Sequence, residues 1–281
     1  MLRSYLLGAR IAAATWRLAL VLWLVGAAFA AAFAGLSGEW LADALDGALA
    51  TRRLLTDLDP NVLIDLYYYH FESGRQVLRT GVVLAVVYVI LWFWLAGVVV
   101  TAVRASRTMT VRHALRAGAD LAPAMFWIYA ITIGVLSMFS VVVGGAAWWL
   151  IRQTSDNPSE MTSASIVAAA TAVWLLGYVF VVAVGDHARL RAAAGAGGGV
   201  LRAYGWALRF VLHGGELAFV LALLLQLTGV VLWAGYQAIA LTIPVTSGFG
   251  VTLSLVWAEL FLLARMVLRL WFFAAQNDLQ T

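Results

Sequence analysis

Residues 217–258 form 42 consecutive positions without a charged side chain. Soluble domains carry about a quarter charged residues, so a run of this length is foreign to them. One crossing of a hydrocarbon core about 30 Å thick needs only about 20 apolar residues. The run must therefore cross, turn and cross again, and Pro244-Val245-Thr246-Ser247-Gly248 is its natural turn. This predicts one span near 217–239 and another from 247 to 270. The same criterion gives spans at 18–36, 81–103, 121–151 and 161–185. The expected fold is all-α: a polytopic membrane bundle of six helices, arranged as three hairpins.

Composition agrees, with 64% hydrophobic and 11% charged residues and a mean hydropathy of +0.92. That balance argues against a soluble enzyme or a disordered chain. The net charge of +4 has no polar domain to present it, so no nucleic-acid partner is expected. The absence of Cys removes disulfides, thiolate nucleophiles and Cys-based metal sites. All 18 basic residues are Arg, which, with abundant Ala, Gly and Val, points to a GC-rich bacterial genome. The first span follows Arg3 and Arg10 like a signal peptide. Its apolar run is longer than the usual 7–15 residues of a signal core, so a retained anchor is expected.

Thirteen Arg fall on the side of the termini, from Arg3, Arg10 and Arg17 to Arg265 and Arg269, and five on the other. The positive-inside rule then places both termini in the cytoplasm of a bacterial inner membrane. Residues 2–25 align without a gap on 201–224, pairing Leu2 with Leu201, Arg3 with Arg202, Tyr5 with Tyr204 and Arg10 with Arg209. Residues 110–130 share the layout, with Arg112 and Arg116 before Gly118. One integral domain built of three units (1–104, 105–186 and 187–281) is expected. Each unit opens with a basic amphipathic helix lying in the headgroup plane. Arg3, Arg10, Arg112, Arg116, Arg202 and Arg209 are candidates for contact with anionic lipid headgroups of the cytoplasmic leaflet. The Gly-rich stretch 195–199 reads as a joint between the second and third units.

The outer segment 37–80 is the longest polar stretch. Ser37 is expected to cap a helix starting near Gly38, followed by a turn at Asp57-Leu58-Asp59-Pro60 and a second short helix. Asp57, Asp59, Asp65, His70 and Glu72 lack the Gly and Glu of a calcium loop, so no metal is expected. Glu259 stands near the midplane of the last span, where a carboxyl group is costly unless paired, protonated or hydrated. Gln226 and Gln237 on the preceding span are candidate partners for an inter-helix or transport role. Asp186 and His187 end the fourth span and can pair as acid and base. His113 and His213 stand at corresponding places on neighbouring elbows. No Gly-x-Ser-x-Gly, His-Glu-x-x-His or Walker motif occurs, and no cofactor is expected.

The Arg-rich elbows Thr110-Val111-Arg112-His113-Ala114-Leu115-Arg116 and Leu201-Arg202-Ala203-Tyr204 each enter a long span. In this layout the chain resembles six-span bacterial membrane proteins of the YciC-like family. It is also similar to the membrane domain fused to some glycerophosphodiester phosphodiesterases. No soluble phosphodiesterase domain is present, so the resemblance does not imply that activity. The expected function is a non-catalytic membrane subunit or scaffold of an envelope or transport complex, with a protein partner or a second copy. The alternative is a small transporter or lipid-handling protein using Glu259 and the Arg-rich elbows. An intramembrane lipid enzyme using Asp186, His187 or the outer acids is a third reading.

Overall fold

A computed structural model describes residues 2–45, 68, 71–105, 111–154, 160–195, 199–214, 216–244 and 247–280. Among them are eight α-helices and no strand. The helices are α1 (Leu2–Ala14), α2 (Trp16–Leu45), α3 (Phe71–Arg104), α4 (Val111–Gln153), α5 (Glu160–Ala193), α6 (Gly199–Arg209), α7 (Glu216–Ala240) and α8 (Gly248–Asp278). A π-helical turn, Phe210–Gly214, joins α6 towards α7. Six of the helices (α2–α5, α7 and α8) are long and apolar enough to cross a membrane. They expose many large apolar side chains, chiefly Leu, Val, Ile, Phe and Trp. A surface of that kind suits lipid rather than water.

Several helices outrun a bilayer. At 1.5 Å per residue, the 34 residues of α3 span about 51 Å and the 43 of α4 about 65 Å. Two sequence expectations change as a result. Ser37 caps nothing, because α2 continues through it to Leu45. The second elbow is no separate helix: Arg112, Arg116 and the following span belong to one α4. Pro123 sits inside α4 and removes the bond its N–H would make to Ala119, without ending the helix. α7 ends at Ala240 and α8 starts at Gly248 on either side of the expected turn, of which Val245 and Thr246 lie outside the described residues, and Ser247 Oγ accepts from Gly250 N at 3.1 Å to cap α8. Gly195 (φ +66°) follows α5 and Gly199 (φ +79°) opens α6, both in the left-handed region that favours glycine. The turn at 57–60, the helix expected after it, and Asp57, Asp59, Asp65 and His70 lie outside the described residues.

Residues cluster into two compact units, Val21–Trp92 and the remainder, Met1–Leu20 with Phe93–Thr281. Inside the first, α2 and α3 run antiparallel with a glycine facing an aromatic side chain every seven residues. Gly26 meets Tyr88, Phe33 meets Gly81 and Trp40 meets Gly74. A β-carbon at Gly81 would lie 2.7 Å from Phe33 Cε2, closer than carbon atoms approach. Trp40 Nε1 donates to Ser73 Oγ at 3.0 Å at the far end of the pair.

The second unit is organised by its elbows. The buried face of α1 is Ser4, Gly8 and Ala12, and that of α6 is Ala203 and Ala207, continued by Val211. Ala114 and Gly118 hold the same register in α4. Small residues four apart let each elbow lie close on a neighbour. A β-carbon at Gly8 would lie 2.8 Å from the backbone N of Ala275 on α8, and one at Gly97 of α3 would lie 2.7 Å from Gly118 O. Ala207 is buried with Val184 and Ala188 of α5 and Ile128 of α4. Elbow α6 thus rests on α4 and α5, the start of α4 on α3, and α1 on α8.

Candidate functional site

The elbow contacts repeat in their hydrogen bonds. Trp94 Nε1 donates to Leu115 O at 3.0 Å, and Trp271 Nε1 donates to Tyr5 O at 2.7 Å. Leu115 and Tyr5 occupy the same place in their elbows. Tyr5 Oη also shares a 2.8 Å hydrogen bond with Thr228 Oγ1 of α7, as Tyr204 of α6 does with Thr132 of α4. Burial raises the Tyr204 phenol above its ordinary value, with the Thr132 bond and Arg189 opposing.

Where α5 meets the last turns of α8, the bundle buries its densest set of polar groups. Asp186 Oδ1 accepts from Arg189 Nη1, and its Oδ2 accepts from Gln276 Nε2 at 3.4 Å. These three residues are 5%, 6% and 2% exposed for Arg189, Asp186 and Gln276. At that burial a charge persists only when paired. The Arg189 guanidinium lies 3.8 Å from the centre of the Tyr129 ring of α4, and Arg269 of α8 donates to the Tyr129 hydroxyl. Gln280 Nε2 donates to His187 Nδ1 at 2.7 Å and to His187 O at 3.3 Å. An amide nitrogen only donates, so Nδ1 accepts and the neutral imidazole carries its proton on Nε2. The His187 ring lies 4.9 Å from that of Phe210, which stacks on Trp206, and Trp206 receives the Arg191 guanidinium. Arg104 of α3 donates to Leu190 O at 3.0 Å.

Gly185 makes this meeting possible. A β-carbon there would lie 2.7 Å from Thr132 Oγ1, so α4 reaches α5 beside Asp186 because residue 185 has no side chain. Asp186 stands 26 residues after Glu160, a rise of about 39 Å, which exceeds the hydrocarbon thickness of about 30 Å. The cluster therefore belongs at the end of the span, where the Arg residues gather, rather than at its middle. These hydrogen bonds join one helix to another or fix the Asp186–Arg189 pair. Among the described residues, His187 Nε2, Arg189 Nε and Gln276 Oε1 have no hydrogen-bond partner.

Glu259, Gln226 and Gln237 are all half-buried. The antiparallel pair α7 and α8 is fixed by Trp257 Nε1 donating to Tyr236 O at 3.2 Å and by Tyr236 stacked on Phe261 at 4.3 Å. That register sets Gln237 level with Glu259. Gln226 lies eleven residues away, about 16 Å along α7, three residues before Gly229, which meets Leu268 of α8. Arg3, Arg10, Arg112, Arg116, Arg202 and Arg209 are all exposed. His113 and His213 are exposed too, and no group of metal-ligating side chains occurs among the described residues.

Sequence reasoning singled out Asp186 and His187 but not Tyr129, Gln276 or Gln280. The available signal was Gln276 and Gln280, four apart after the apolar run Leu270-Trp271-Phe272-Phe273-Ala274-Ala275. That spacing puts both amides on one helical face. No protein-family model, curated protein or solved structure matches the chain.

Proposed function

We propose that this chain is a non-catalytic subunit or scaffold of an envelope or transport complex in a bacterial cytoplasmic membrane. Its six spans form three hairpins, each led by a basic elbow at the cytoplasmic face, and both termini are cytoplasmic. The observation that carries this reading is the use of buried charge. The buried Asp186 and Arg189 pair with each other, and with the half-buried Arg269 and Arg104 they hold Gln276, Tyr129 and the Leu190 carbonyl of neighbouring helices, so they bind the bundle to itself. A fixed bundle with a wide apolar surface is suited to holding another membrane component in place.

The test is affinity purification of the full chain from gently solubilised membranes, with mass spectrometry of the proteins recovered. The expected outcome is a membrane protein at fixed stoichiometry that survives stringent washing. Recovery of the chain alone, as a monomer, would overturn the reading.

A further inference from the structure

The outer faces of α1 and α6 carry the same residues in the same register. Leu2, Arg3 and Arg10 on α1 match Leu201, Arg202 and Arg209 on α6, and all six are exposed. The buried faces of both helices are already filled by small residues, so the outer faces are what remains for a partner. Leu2 is 67% and Leu201 is 77% exposed, a cost in water, and Arg is costly in hydrocarbon. Only the boundary between headgroups and acyl chains satisfies both side chains on one face. Position agrees, because α1 passes through Thr15 directly into the apolar α2, and α6 passes through one turn towards the apolar α7.

We propose that these two elbows are docking sites for the phosphates of anionic phospholipids. Arg3 and Arg10 are two turns apart, about 10.5 Å along the axis, as are Arg202 and Arg209. That separation suits two neighbouring headgroups rather than a two-handed grip on one. The second elbow departs from the pattern. Where the others have their two Arg, α4 has His113 and Asp120, and Asp120 follows Arg116 by one turn. The lipid sites are therefore strong on α1 and α6 and weak on α4. This inference is independent of a scaffold role and stands or falls by lipid binding alone.

The test uses the full chain, purified in mild detergent and stripped of lipid, with thermal unfolding followed during addition of phosphatidylglycerol, phosphatidylcholine or inorganic phosphate. Phosphatidylglycerol is expected to raise the midpoint, and the other two are not. An Arg beside an anionic surface is worth roughly a fivefold change in affinity. Each of the pairs R3Q/R10Q and R202Q/R209Q should visibly weaken the phosphatidylglycerol response, the two pairs combined should weaken it by more than tenfold, and R112Q/R116Q should weaken it by much less. The variant with Lys at all four positions should keep the response, which separates lost charge from lost fold. An unchanged response in both Gln pairs would overturn the proposal. An equal gain from phosphatidylcholine would mark a general lipid effect, and an equal gain from inorganic phosphate a free-anion site; either also overturns it.

Discussion

Asp186 and Arg189 are three residues apart on one helix, and their pairing is local chemistry that a sequence can suggest. Their burial is not local. It comes from Tyr129, Gln276 and Arg269, which arrive from positions between 57 and 90 residues away. A buried pair broken on one side leaves an uncompensated charge, which typically costs about 3–5 kcal/mol. Asp186→Ala is accordingly expected to destabilise the protein by that amount in reversible unfolding from mixed micelles. The double change Asp186→Ala with Arg189→Met should cost less than the single change, because it removes both charges. A double variant as unstable as the sum of the two singles would show that the two side chains do not act as a pair. Glu259 shows the reverse case. Its place in an apolar helix was plain in the sequence, but the choice between Gln226 and Gln237 required the register of α7 against α8, which sets Gln237 at its level.

At the scale of the helix, the six apolar runs were legible and their ends were not. An apolar run marks the part of a helix that needs lipid. The helix itself continues while its backbone finds partners and its side chains find contacts, and this carries α2 through Ser37 and brings α3 in from Phe71. The pairing of α2 with α3 runs along three glycines, two of which, Gly74 and Gly81, lie against a ring of the opposite helix while Gly26 lies against the Tyr88 hydroxyl. Gly81→Val places a β-carbon 2.7 Å from Phe33 and should cost about 1–3 kcal/mol by overpacking. Gly35→Ala meets nothing within 4 Å and should be neutral or stabilising by about 0.5–1 kcal/mol. Chemical denaturation of both variants under one set of conditions checks the contrast. Equal effects would mean that the ring contacts do not set this pairing.

For the molecule as a whole, the elbows make long-range contacts: α6 rests on α4 and α5, the start of α4 rests on α3, and α1 rests on α8. The first elbow is therefore part of the bundle rather than an appendage. A chain lacking Leu2–Ala14 should unfold at a lower temperature and be cut by protease near Trp271 and Ala275, the residues that α1 covers. An unchanged midpoint and cleavage pattern would show that the contact of α1 with α8 contributes nothing to stability. The sequence by itself determined the class of solvent and the number of long apolar helices. Those depend on side-chain polarity summed along the chain, and hydrocarbon penalises charge wherever it falls. The tertiary structure alone decided which polar residues share a buried site, which glutamine stands level with Glu259, and that the last helix receives the first. Those depend on where helices cross, and crossings are set by the few positions where a missing β-carbon lets two backbones meet.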